Sequence, residues 1–238
     1  MDEGWTRFVF DQQAEIEYTT VHDADLRAGQ LRERFDAIVL PDQSAAQIRD
    51  GQAAGSLPVE YTGGLGADGT KALRAFVQEG GTLVALDSAT AFVVTEFGLM
   101  VKDALAGLGP APGDDDDAEG GPAEFYSPGA ILEARVEGGS PIGHGLSAST
   151  PIWFESSPAF DVKSGRVVLR YPHSDPLLSG WLLGEEYLRG KAALVDVAVG
   201  RGRVVLFGFR PQYRAQSWAT YVPFLNALYL SAARPSAD

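Results

Sequence analysis

The chain has no cysteine among its 238 residues. That excludes a thiol nucleophile, a thiolate-bound zinc and a disulfide framework together. Histidine is scarce: His22, His144 and His173 are the whole complement. They show none of the H-x-x-E, H-x-x-x-H or H-x-H spacings that bring ligands onto one metal. Each is therefore read as structural, and no metal or other cofactor is expected. Basic residues are outnumbered, 19 Lys and Arg against 32 Asp and Glu, for a formal net charge of -13. Such a surface repels phosphate backbones, so nucleic acid is not an expected partner. No apolar run approaches the ~18 residues of a membrane-spanning helix. The opening, MDEGWTRFVFDQ, carries acids where a signal peptide has a basic region followed by an apolar stretch.

Apolar residues make up 45% of the chain and charged residues 21%, the balance of a globular protein with a self-sufficient core. In the first hundred residues, strand and helix patterns alternate. Residues 4–14 place Trp5, Phe8 and Phe10 near one helical face, and EIEYTTV (15–21) alternates as a β-branched strand. DLRAGQLRERFD (25–36) reads as an amphipathic helix, AIVLP (37–41) as a buried strand and QSAAQIRDG (43–51) as a helix ended by glycine. After the Gly-rich loop 55–69 come a helix over 67–81, the strand TLVAL (82–86) and a turn entering a helix at DSATAFVVTEFG. This alternation predicts a parallel sheet with helices on both faces.

The second half differs. Residues 110–129 form a Pro/Gly/acid insertion holding Asp114 to Asp117, read as a solvated loop because like charges repel. Then ILEARV, PIWF, FDV, RVVLRY, AALVDVAV (192–199) and RVVLFGF (203–209) read as short strands, and residues 217–233 as a last helix. The division expected is one domain over 1–238: alternation over 1–109, the acidic loop, and a β-rich elaboration with the final strands and helix over 130–238.

In such sheets ligands gather at the carboxyl ends of the strands. The candidates there are Asp42 and Gln43 after AIVLP, Asp87 and Ser88 after TLVAL, and Arg210, Gln212 and Arg214 after RVVLFGF, with Tyr61 in the loop that could cover them. Ser88 is either a nucleophile on a strand-to-helix elbow or a helix N-cap, and the cap is favoured because no histidine falls beside it. Arg210 and Arg214 either clamp a carboxylate or phosphate or pair with the acids of this acidic chain.

The segments VVLFGFRPQ and TLVALDSATAF resemble two motifs of class I glutamine amidotransferases, the strand ending in Phe-His-Pro-Glu and the Gly-x-Cys-x-Gly elbow. On that resemblance the nucleophile position falls on Ser88, the histidine on Arg210 and the glutamate on Gln212, with Leu86 and Thr90 at the elbow glycines. Each identity departs. A guanidinium is no base near neutral pH, and an amide cannot stabilise an imidazolium by charge. The resemblance implies a flavodoxin-like, doubly wound, mostly parallel α/β sheet carrying a degenerate site and no catalytic residues.

Over most of the chain, segments including HDADLRAGQLRERFDAIVLPDQ and SGWLLGEEYLRGKAALVDVAVGRGRVVLFGFRPQYRAQS also resemble the C-terminal amidotransferase-like region of bacterial zinc carboxypeptidase-like proteins. It implies an exported accessory domain beside a metallopeptidase domain, with a small anionic or peptide ligand. In those proteins a strand precedes the counterpart of Met1. Without it, a gap or non-native pairing is expected between EIEYTTV and AIVLP, with an unpaired edge open to self-association.

Overall fold

The computed structural model describes residues 1–53, 55–59, 62–108 and 123–233; Tyr61 and Asp114 to Asp117 lie outside the described residues. The chain enters through helix α1 (Asp2–Val9), which continues as a π-helical turn over Phe10–Ala14. Two short helices follow, α2 (Asp23–Ala28) and α3 (Leu31–Arg34), separated at Gly29, whose φ of 78° lies in the left-handed region that a continuous helix cannot use. Strand β1 (Ala37–Leu40) leads to α4 (Ala45–Asp50), started by a capping box in which the Gln47 amide donates to the Ser44 hydroxyl at 3.2 Å. Next come α5 (Gly66–Gln78), β2 (Thr82–Leu86), α6 (Ala89–Phe97) and β3 (Val101–Asp103).

The β-rich half supplies β4 (Tyr126–Val136), β5 (Ser149–Phe154), β6 (Phe160–Val162), β7 (Arg166–Arg170), β8 (Leu177–Leu183), β9 (Ala192–Val199) and β10 (Gly202–Phe207). Helix α7 (Trp218–Ala232) closes the chain. Among the described residues, one ten-stranded sheet runs in the order β1-β2-β10-β9-β7-β4-β5, with β8 also paired to β4 and β3 joined through β6. The crossover part, β1, β2 and β10, is parallel, and the pairings from β10 to β9 onward are antiparallel. The strand–helix alternation thus produces the parallel part, and the hairpin-like spacing produces the antiparallel extension.

Two expectations are corrected: the single helix expected over 25–36 is broken at Gly29 into α2 and α3, and the strand expected over 15–21 is absent. EIEYTTV forms no strand. A strand needs a neighbour for its backbone groups, and β1 pairs only with β2 among the described residues. The segment instead leans on the core through Ile16 and Tyr18, and the Tyr18 hydroxyl donates to Asp11 at 3.0 Å. Among the described residues, no pairing joins it to β1.

The central strands are buried on both faces, and period-2 alternation divides their side chains between two core clusters. Val84, Leu86, Val205 and Phe207 face the cluster that includes Phe224 of α7. Leu83, Ala85, Val204 and Leu206 face the one built on Leu73 and Phe76 of α5 and Phe92 of α6. This two-sided packing fixes the carboxyl ends of β1, β2 and β10 side by side, and the candidate residues sit there.

Candidate functional site

At the end of β2, Asp87 extends the pairing by donating its amide to the Phe207 carbonyl at 2.8 Å. Its φ is 50°, a left-handed value uncommon for a side chain with a Cβ. Ser88 follows at φ -60° in the N-cap position of α6. The strained residue of the strand-to-helix turn is therefore Asp87, one position earlier than the match to Ser88 placed it. The neighbours two before and two after become Ala85 and Ala89, both fully buried and small, as a crowded elbow requires. Ser88 is exposed and its side chain makes no capping hydrogen bond, so the cap expected of it is positional only.

Strand β10 passes through Gly208, where a Cβ would come within 2.5 Å of the Pro158 carbonyl oxygen, and then delivers Arg210. The guanidinium gathers four carboxylates. Nη2 donates to Glu155; Nη1 lies 3.8 Å from Asp2 and 3.9 Å from Asp42; Nε lies 3.6 Å from Asp87. The Asp87 contact is electrostatic, since at that distance Nε has no hydrogen-bond partner. Other groups hold the acids in place. The Ser157 hydroxyl donates to Asp87 at 2.6 Å, and the Ser88 amide donates to Asp42 at 3.1 Å.

Only 13% of the Arg210 side chain and 3% of that of Asp87 reach solvent, and this decides the electrostatics. Burial, reinforced by the Asp42 carboxylate, pushes Asp87 up to about 7 against the pull of Ser157 and Arg210. Burial also raises Asp2, with Asp42 and Glu155 adding to the effect and Arg210 opposing it. For Arg210, burial disfavours the charge, but Asp87, Glu155 and Asp2 outweigh it and hold the group above its ordinary value.

Gln212 is fully buried and donates its amide to the Thr6 hydroxyl of α1 at 3.1 Å, leaving Oε1 without a partner. Tyr213 stacks on Trp153 with centroids 4.4 Å apart, and the guanidinium carbons of Arg210 and Arg214 lie 4.7 Å and 5.2 Å from its ring centroid.

Of the residues expected at the strand ends, Asp42, Asp87, Ser88 and Arg210 converge. Gln212 turns away to α1, Arg214 stacks on Tyr213, and Gln43 is exposed. The pairing of Arg210 with the chain's own acids is the arrangement found. Sequence reasoning missed Asp2, Thr6, Glu155 and Ser157, which reach the site from distant segments. The one available signal was arithmetic: a buried arginine in a chain of this net charge attracts several acids. Among the described residues, no group of three or more His, Asp or Glu side chains is placed to hold a metal ion, and no helix is long and apolar enough to cross a membrane.

No family model and no curated protein matches the chain. Solved structures do. A cytoplasmic protein from Salmonella typhimurium is similar at 12% identity, over 95% of this chain and 85% of that one, with a TM-score of 0.55. A candidate GMP synthase subunit from Thermoplasma acidophilum is similar at 10% identity, over 96% and 88%, with a TM-score of 0.55. A ThuA-like protein from Parabacteroides merdae is similar at 10% identity, over 99% and 86%, with a TM-score of 0.55. At such identities the likeness concerns fold: this chain has a flavodoxin-like, glutamine amidotransferase-like α/β fold.

Proposed function

Starting from that fold, we propose that the chain is a noncatalytic amidotransferase-like domain, accessory to a zinc-carboxypeptidase-like partner and exported with it. The observation that carries the noncatalytic reading is the ring of Asp2, Asp42, Asp87 and Glu155 around Arg210. A reaction centre needs an ionisable base beside an accessible nucleophile, and the Ser157 hydroxyl bonded to Asp87 is buried. Here a guanidinium stands in the histidine position, and its charge is absorbed by the protein's own carboxylates. Gln212, in the position of the orienting glutamate, is spent on Thr6. The same ring speaks against Arg210 as a receptor for small anions, because the protein's own acids already surround the guanidinium. The peptidase partner and the export rest on the sequence resemblance.

Two assays on the purified protein test the chemistry. No ammonia release from glutamine is expected, and no labelling by a fluorophosphonate probe. Ammonia release lost in Asp87→Asn, or labelling lost in Ser88→Ala, would overturn the noncatalytic reading. The accessory role is tested in the source genome: the coding sequence upstream of Met1, or an adjacent gene, is expected to encode a metallopeptidase domain with an H-x-x-E zinc motif. Its absence from both would remove that part of the proposal.

A further inference from the structure

Strand β8 is poorly covered for a strand of this sheet. Among the described residues it pairs only with β4. Trp181 is 65% exposed, Leu178 54% and Leu183 47%, and on the adjoining β4 Tyr126 and Ile131 are 39% exposed. The Trp181 and Tyr126 rings meet edge to face, 6.5 Å apart, so the apolar surface is continuous across the two strands. Edge strands are ordinarily protected by lysine, proline or inward charge. Residues 177–183, LLSGWLL, contain none of these. Register shifts against β4 lie next to Leu178 and between Trp181 and Leu183, so the regular edge runs from Ser179 to Trp181.

The ends of this apolar edge are acidic. Asp175 is exposed just before it. Glu186 is exposed just after it, and so is Glu124 beside the start of β4. The nearby Arg189 is engaged, with its guanidinium 3.1 Å from Glu185. An edge with apolar flanks and acids at both ends suits one kind of occupant: unpaired backbone groups recruit an extended strand, alternate side chains choose it, and terminal charges select its ends. A second copy fits badly. Two β8 strands paired antiparallel about Gly180 would set Asp175 against Glu185, acid on acid.

We propose that the outer edge of β8 accepts an extended peptide strand of another protein, apolar at alternate positions and basic at its ends. The peptide continues the sheet beyond β8, packs its apolar side chains against Trp181 and Leu183, and places its basic ends near Asp175, Glu186 and Glu124. The site is distinct from the Arg210 cluster, so the proposal stands independently of the noncatalytic reading.

Fluorescence anisotropy with two labelled peptides tests this. Both are short alternating valine–threonine strands, one ended by lysines and the other by glutamates. The lysine-ended peptide should bind about tenfold more tightly, weaken as salt screens the acids, and lose about tenfold in affinity with Trp181→Lys. Hydrogen exchange on the unsubstituted protein should show peptide-induced protection in residues 177–183, which decides the matter if Trp181→Lys fails to fold. Equal binding of the two peptides, no change with a folded Trp181→Lys protein, or no added protection would overturn the proposal. So would protection of these amides before peptide is added, which means the chain covers its own edge, or protection that grows with protein concentration alone, which means a second copy does.

Discussion

The Ser157 hydroxyl donates a 2.6 Å hydrogen bond to the Asp87 carboxylate, joining residues 70 positions apart in a nearly dry site. The bond favours the charged carboxylate, but burial and the facing Asp42 favour the neutral acid, and these prevail. The strained residue of the turn therefore carries a side chain that titrates near neutrality, beside an arginine that does not titrate at all.

Stability should consequently depend on pH. Asp87 titrates at about 7 in the folded protein, against 3.8 as the ordinary value. Between those values the folded state binds the extra proton. The contribution is complete below the ordinary value and is lost as pH rises through about 7. By linkage its ceiling is on the order of 4 kcal/mol. Thermal unfolding at a series of pH values should show the midpoint rising as pH falls from 8 to about 5.5. Asp87→Asn should flatten much of that slope; an unchanged slope would show that Asp87 is not the group responsible.

Arg210→Met should be costly. It leaves the Asp87 carboxylate buried and brings Asp2, Asp42 and Glu155 together without a counter-charge. Breaking a buried ion pair from one side costs about 3–5 kcal/mol. In urea unfolding, the loss should be larger at pH 8 than at pH 5.5, because Asp87 is protonated at the lower pH.

Thr6→Val isolates the link between α1 and the strand ends. Gln212 is fully buried with Oε1 already unpartnered, and the substitution orphans Nε2 as well. A loss of about 1–3 kcal/mol is expected from the unsatisfied amide. Hydrogen exchange should quicken in α1, and Thr6→Ser should restore the protection.

Gly208→Ala tests the close approach that guides Arg210 into place. The added Cβ would lie 2.5 Å from the Pro158 carbonyl oxygen and 3.1 Å from that of Ala193, both backbone atoms with little room to yield. A loss of about 3 kcal/mol is expected from overpacking. A variant as stable as the parent protein would mean that the strand end is looser than its contacts indicate.

Much of the framework was legible in local pattern. Short β-branched apolar runs set β1, β2 and β10. The run AALVDVAV matches β9 residue for residue, and the aromatic spacing of residues 217–233 marks α7. Burial dictates such patterns, and burial leaves its period in the sequence. EIEYTTV shows the limit: its alternation is that of a strand, yet a strand exists only where a neighbour offers hydrogen bonds. β8 shows the converse, a strand held by pairing with β4 although its leucines, glycine and tryptophan announce no clear period.

The candidate site divides in the same way. By itself the sequence determined that no thiol is available, that no histidine falls beside Ser88, and that the acids of the chain were one of two candidate partners for Arg210 and Arg214. Only the tertiary structure decided which acids, and which residue occupies the strained turn. Asp2 arrives on a helix, Asp42 on a loop and Glu155 from the antiparallel extension, and their convergence depends on how β1, β2 and β10 are set side by side. The left-handed backbone falls on Asp87 because β2 pairs one residue further with Phe207 before α6 can begin. Composition is a property of the chain, whereas ion partners and backbone strain belong to the arrangement that buries them.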